Sequence, residues 1–425
     1  MFTTEIQDFM RQEAKRRFLT YVQIDTTSDP MSGKHPSSEN QLDLGRLLVT
    51  ELEDLGLQDV DLDQHGFVYA MLPARPASSG EVPAITFCAH MDTSSSEPGK
   101  DIVPVVHENY DGGDILYDKN EALRLTPQIS PELSGLIGQN IITASGDTLL
   151  GADDKAGIAE ITAALATFKK FKELAHPELR IVFTPDEEIG EGTTNIDMNR
   201  LGKFGYTMDG GEMGELEIEC FDAFEAVITF NGRNIHPGYA KNKMINAGAI
   251  AARYFADLPE HETPEHTENR EGFFHLLDIS GDETRATLKL IIRDFERKNN
   301  ERRIELLERM ADTYRLRYEG LGMDIEIKDQ YNNMFEILDQ YPDVVEKAGA
   351  AIASVGLDVL RKPIRGGTDG ARLSFMGMPT PNIFTGSALV HSKTEWVSEL
   401  GLQKATEVIV ALCGLWANDT NGKHT

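Results

Sequence analysis

The stretch "LRIVFTPDEEIGEG", residues 179–192, joins an apolar, β-branched run to three consecutive acids, Asp186, Glu187 and Glu188. A short apolar run that stops at Pro185 reads as a buried strand. Adjacent carboxylates repel one another, so a row of them at the end of a buried strand calls for positive charge nearby. Other runs end the same way: "AITFCAH" delivers His90 and, two residues on, Asp92, and "FGYTMD" ends at Asp209. Helical patterns such as "DKAGIAEITAALATFKKF" alternate with these strands, which predicts an α/β sheet. In open α/β sheets the strand-end edge is where ligands bind.

Outward from that sheet, residues 5–22 and about 38–55 read as amphipathic helices, the second starting at a serine cap and stopping at Gly56. From about 221 the pattern changes to strand, helix, strand, long charged helix and strand, enough for an α+β unit of roughly 110 residues. After about 335, α/β character returns. The expected organisation is one discontinuous catalytic domain, residues 1–220 and 336–425, with a mixed sheet flanked by helices and an inserted α+β domain at 221–335.

Seventy acidic against 41 basic residues give a formal charge of −29, which opposes nucleic-acid phosphates and anionic membranes. Neither partner is expected. Three scattered cysteines without a CxxC pair indicate neither a disulfide framework nor a thiolate zinc site, and fit a reducing compartment. The N-terminus carries charges throughout, unlike a signal peptide, and no stretch approaches 18 uninterrupted apolar residues. A cytoplasmic protein is expected.

The polar strand ends, with "GADDKAG" (Asp153, Asp154, Lys155) and "LVHSKTE" (His391), supply imidazole and carboxylate but no thiolate. That set suits Zn²⁺, with Mn²⁺ or Co²⁺ as substitutes. Taken singly, a His-x-Asp is a satisfied polar pair and an acidic triplet a solvated turn; five such elements in one chain favour a metal site. Two divalent ions would explain the clustered acids, and neighbouring glutamates on a loop can divide the work, one as ligand and one as proton shuttle. A water whose pKa is lowered by metal could then attack a carbonyl. Asp92 is placed to orient His90, and Lys155 reads as a counter-ion to the aspartates. "HETPEH" (261–266) fails as a zinc motif because its histidines are five apart and Pro264 interrupts a helix. "IRGGTDG" lacks the spacing of a phosphate loop, and no G-x-S-x-G nucleophile appears.

With these residues in hand, the chain resembles the peptidase T family of tripeptide aminopeptidases, within the zinc-dependent exopeptidase superfamily that includes the carboxypeptidase G-type enzymes. The resemblance rests on "HMDTS", "ENYDGGDI", "TLLGADDKAGIAEI", "FTPDEEIGEG", "YTMDGG", "EGFFHL", "IIRDFERK", "KPIRGGTDGARLSFMGMP" and "HSKTEW", which together span nearly the whole chain. It implies two zinc ions per subunit, held by His90, Glu188, Asp209 and His391 with Asp153 bridging, Glu187 as general base and Asp92 orienting His90. It also implies that the inserted domain is a lid or dimerisation domain and that the protein is a homodimer. His236 matches a lid histidine near the scissile carbonyl, and Arg293 and Arg365 match positions suited to the C-terminal carboxylate of a short peptide. The distance from metals to arginines would act as a ruler for tripeptides. Around His391 the family commonly has an aromatic residue and a second histidine, where this chain has Val390 and Thr394. The competing readings are a related zinc dipeptidase, carboxypeptidase or aminoacyl-amidohydrolase, a peptide-binding protein without activity, and a metal-dependent phosphatase.

Overall fold

A computed structural model describes residues 2–75 and 82–419. The chain divides into two compact units: Met1–Ile218 with Glu336–Lys362 and Thr368–Thr425, and Glu219–Phe335 with Pro363–Gly367.

The first unit is built on a seven-stranded mixed sheet, in the order Gln58–Leu62, Val68–Leu72, Leu179–Thr184, Ile85–His90, Phe204–Gly210, Asn382–Phe384 and Leu216–Glu217. The four strands from Leu179–Thr184 to Asn382–Phe384 run parallel, and the flanking pairs are antiparallel. The parallel strands are continuous apolar runs because both of their faces are covered: Ile85–His90 is buried at every residue. The helix Ala152–Lys170 packs on this sheet, and Thr4–Tyr21 and Glu399–Ala417 pack on that helix. Its alanines and Gly157 allow the close approach. A Cβ on Gly157 would stand 2.0 Å from the carbonyl oxygen of Met208, so only glycine lets the helix lie against the strand Phe204–Gly210. Glu399–Ala417 is long and apolar enough to cross a membrane by composition, yet 61% of that span is buried inside the protein, as befits a core helix.

Serine capping of the second helix is corrected by the structure. The helix runs Gln41–Leu55 from Asn40, which makes no side-chain cap bond, while Gly56 ends it at φ 88°. A glycine tolerates that left-handed turn at no steric cost.

One acid in this core has no partner. Glu160 lies in the middle of Ala152–Lys170, is fully buried, and neither carboxyl oxygen has a hydrogen bond among the described residues. Burial pushes its carboxyl well above the usual range. Stability from such a raised group is fully present below the unfolded value and is lost as pH rises through the folded one. Glu160→Met, which removes a buried polar group costing about 1–3 kcal/mol when unpaired, is therefore expected to raise the denaturation midpoint at pH 8. The gain should shrink towards pH 4, and a gain equal at both pH values would reject the explanation.

In the second unit, strands Asp222–Asn231, Phe273–Gly281, Arg285–Asp294 and Gly322–Tyr331 form an antiparallel sheet in the order Phe273–Gly281, Arg285–Asp294, Asp222–Asn231, Gly322–Tyr331. Helices Ala247–Ala256 and Arg297–Arg317 pack on it. Alternate residues Phe224, Ala226, Ile228 and Phe230 pair with Ile292, Leu290, Leu288 and Ala286 on its core face, each large apolar side chain contributing about 1.5–3 kcal/mol by burial. The strand Phe273–Gly281 was not anticipated. At the sheet edge, and exposed from Asp278 to Gly281, it lacks the period-two burial of its neighbour.

Candidate metal centre and active site

Three adjacent parallel strands bring their C-terminal ends to one edge of the first unit's sheet. His90 ends Ile85–His90, Asp209 stands next to last in Phe204–Gly210, and Glu187 and Glu188 follow Leu179–Thr184. Asp153 comes from the first turn of Ala152–Lys170, at non-helical φ −83°, ψ 102°. His391 sits between the short strands Ser387–Ala388 and Trp396–Ser398, at φ 59°.

Five of these side chains meet. Asp153 Oδ1 lies 2.9 Å from His90 Nε2, and Asp153 Oδ2 lies 3.1 Å from His391 Nε2. Asp209 Oδ1 is 3.5 Å from His90 Nε2, and Glu188 Oε1 is 2.9 Å from His391 Nε2. The result is two clusters, His90–Asp153–Asp209 and Asp153–Glu188–His391, each with its donor atoms within 4.8 Å of one another and sharing Asp153. Glu188 Oε1 is buried and finds no hydrogen bond of proper geometry among the described residues. A buried oxygen that has an imidazole beside it but no hydrogen bond, in a set of imidazoles and carboxylates, fits a pair of divalent cations. Cys88, two residues before His90, does not add a thiolate, because burial holds its thiol well above the usual range.

Without cations the acids share protons and imidazolium charge instead. Burial pushes Glu187 well up, helped by Asp209, Asp369 and Glu188 and opposed by His90. Burial and the Asp153 charge raise Glu188 to about 7 against the pull of His391. Burial also raises Asp209, with His90 opposing. For Asp153 the burial effect is outweighed by hydrogen bonds from His391 and His90, which hold it low. Asp153 and Glu188, close against its Nε2, raise His391 to about 11. Cation binding would release these protons, since the ligands bind metal as carboxylate and neutral imidazole.

Around the clusters, further acids grip main-chain amides. Asp92 accepts the amides of Glu187 at 2.9 Å and Glu188 at 3.2 Å through its two carboxylate oxygens. His90 Nδ1 meets the carbonyl oxygen of Asp92 at 3.0 Å and its carboxylate at 3.4 Å. Asp92 thus holds the imidazole mainly through its backbone, and its carboxylate holds the glutamate loop. Asp154, to which the sequence assigns no role of its own, accepts the amide of His90 at 3.1 Å. Lys155 is fully buried, donates to the Ile24 carbonyl at 2.7 Å and faces Asp25, Glu395 and Asp92. Burial lowers its amine to about 8.

Asp186, the first acid of the row, points elsewhere. Held at φ 57°, it accepts hydrogen bonds from Ser37 N at 2.6 Å, Ser37 Oγ at 2.5 Å and Gln41 Nε2 at 2.7 Å, and lies 3.0 Å from His35 Nδ1. A non-glycine residue in that left-handed region costs about 1–2 kcal/mol, which these bonds offset. Asp186 fixes the turn from which Glu187 and Glu188 project.

His236, Arg293 and Arg365 lie in the second unit. His236 is exposed, and its Nδ1 accepts from Gly238 N at 3.2 Å, which leaves the ring proton on Nε2. Arg293 is buried, donating to the carbonyls of Phe224 and Ile292 and to Gln330 Oε1. Arg365 donates to the carbonyls of Asn269, Glu271 and Thr267. Both guanidinium groups meet neutral acceptors; among the described residues, neither ranks with the ion pairs.

A mixed α/β sheet with paired imidazole–carboxylate clusters at its strand ends marks a metallopeptidase, and the chain belongs to peptidase family M20/M25/M40, whose model matches residues 149–414. Its relatives narrow the kinship. The chain is 48% identical to "Peptidase T" of Desulfitobacterium hafniense (strain DSM 10664 / DCB-2) over 404 residues, 95% of this chain and 98% of that protein. It is 45% identical to "Peptidase T" of Geobacillus thermodenitrificans (strain NG80-2) over 413 residues, 97% of this chain and 100% of that one. Its fold is similar to the crystal structure of the aminopeptidase PepT from Bacillus cereus ATCC 10987, with a TM-score of 0.74 at 23% identity, covering 96% of this chain and 99% of that one.

Proposed function

We propose that the protein is a dinuclear zinc aminopeptidase that removes the N-terminal residue from tripeptides. The observation that carries this reading is the carboxylate of Asp153, whose two oxygens address two different imidazoles, His90 and His391. His90, Asp153 and Asp209 would hold one ion and Asp153, Glu188 and His391 the other. When bound, a zinc pair polarises a carbonyl and lowers the pKa of water to about 7.

The remaining chemistry belongs to the chain. Glu187 makes no ligand contact and serves as general base, taking a proton from the attacking water and passing it to the leaving amine. Its place supports this role: it leaves the same turn as the ligand Glu188 without joining either cluster, and burial holds its carboxyl well above the usual range. Asp92 keeps base and ligand in register through their two amides. Arg293 and Arg365 would receive the substrate's C-terminal carboxylate, and their lack of carboxylate partners supports that role. His236 would donate its Nε2 proton to the substrate. A cytoplasmic homodimer completes the proposal: the three cysteines are buried and scattered along the chain, and edge strand Phe273–Gly281 exposes Leu277 and Ile279 for pairing.

A panel of di-, tri- and tetrapeptides with free and blocked ends tests the reading. Free tripeptides should lose their N-terminal residue, N-acetylated ones should be inert, and a chelator should abolish turnover until Zn²⁺ is restored. Release of the C-terminal residue, or preferred cleavage of N-acyl amino acids, would reject it.

A further inference from the structure

Four residues after His391 the chain places a second acid, Glu395, whose side chain does not join the ligand clusters. It is 1% exposed and sits where the loop turns into the strand Trp396–Ser398. Its Oε2 accepts the amides of Leu150 at 2.7 Å and Gly151 at 2.8 Å, and its Oε1 accepts the amide of Asp153 at 3.1 Å. Three main-chain donors of one turn therefore converge on one carboxylate from a segment more than 240 residues away.

The same turn is tied further along by Asp154, which accepts the amides of His90 and Gly157, but the amides that Glu395 takes lie where the backbone is irregular. Gly151 is at φ 75° and makes no side-chain cap, and Asp153 and Asp154 depart from helical geometry. One of the three amides that Glu395 grips belongs to Asp153, the residue shared by both clusters. The loop that carries Glu395 also carries His391, which meets the other side of Asp153. A buried charged acceptor taking three amides is among the stronger hydrogen-bonding arrangements a protein can build. Lys155, facing Glu395 from the same turn, supplies the compensating charge.

We propose that Glu395 is a positioning residue that locks the Asp153 turn to the His391 loop, so that the shared carboxylate and the imidazole present a preformed pair of donors. This inference rests on the dinuclear metal reading above. It differs from a purely structural role, because removing the lock should weaken cation binding more than it weakens the fold. Supporting groups of this kind are worth about 10–100-fold in metal affinity.

The experiment strips the full-length protein with chelator and titrates it with Zn²⁺ against a chromophoric competitor, with thermal unfolding of each apoprotein in parallel. Glu395→Gln is isosteric but places an NH₂ group against one of the three amides, and is expected to weaken both sites about tenfold while remaining folded. Glu395→Ala should weaken them about a hundredfold, and Glu395→Asp, which restores the charge at a shorter reach, should fall between parent and alanine variants. The control is Glu407→Gln. Glu407, in the helix Glu399–Ala417, is equally buried, is bound to Gln7, Gln403 and Lys404 and belongs to neither cluster, and its variant should lose stability without change in affinity. Should the alanine variant not fold, the glutamine variant carries the test. Zinc affinities of Glu395→Gln within twofold of the parent would overturn the inference alone, whereas a parent that takes up no zinc would reject the metal-centre reading and the inference together.

Discussion

Glu187→Ala is expected to keep both metal sites filled and to lower kcat on a tripeptide by about 10²–10⁴-fold, the usual contribution of a general base. The separation of the two effects follows from the geometry. Glu187 and Glu188 leave the same turn, and each amide is pinned by a different oxygen of Asp92. Of the two, Glu188 approaches an imidazole among the described residues, with Oε1 at 2.9 Å from His391 Nε2. Glu187 makes no such approach and belongs to neither cluster. Loss of its carboxyl should leave the main-chain grip of Asp92 intact, and KM should change far less than kcat. Metal analysis on the variant used for kinetics separates the outcomes: turnover within a few-fold of the parent rejects the base assignment, and turnover lost together with metal moves Glu187 into the ligand set.

Asp153→Ala should do the reverse. One carboxylate serves both clusters, so its removal takes an anionic donor from each cation at once. Among the described residues it also leaves His391, whose side chain is 42% exposed, with Glu188 alone beside its Nε2, and His90 with Asp209 alone beside its Nε2. The expected result is loss of both metals on gel filtration, with activity falling below detection and not restored by millimolar Zn²⁺. Asp153→Asn keeps the shape without the charge and should show an intermediate loss of affinity. Two zinc equivalents retained by the alanine variant would eliminate Asp153 as a bridge, and with it the strongest argument for a dinuclear centre.

Much of the mixed α/β architecture was legible in the chain because its signals are local. Short runs such as "RIVFT" and "ITFCA", β-branched and bounded by turn residues, read as buried strands between covering helices, and Gly56 marks a helix end through its own backbone freedom. The edge strand Phe273–Gly281 escaped notice for the opposite reason: at the sheet margin it is largely exposed and carries no periodic burial. The serine expected to begin the second helix illustrates competition of another kind. In the folded chain its neighbour Ser37 hydrogen-bonds Asp186, 149 residues distant, and the helix starts at Gln41 instead.

For the site, residue type and position after a strand were enough to single out His90, Asp92, Glu187, Glu188, Asp209 and His391, because imidazoles and carboxylates stand out against apolar runs. Their neighbours Asp154 and Glu395 were equally visible as acids, but nothing in their spacing tells that they bind amides and not cations. Asp186 is the clearest case: it reads as one more member of an acidic row, yet a single left-handed residue turns it to the far side of the loop. Chemical identity and periodicity travel with the chain, so the sequence can name the candidates. Which oxygen faces which donor depends on contacts between segments 63 to 245 residues apart, and those distances exist once the strands have paired and the loops have been tied together.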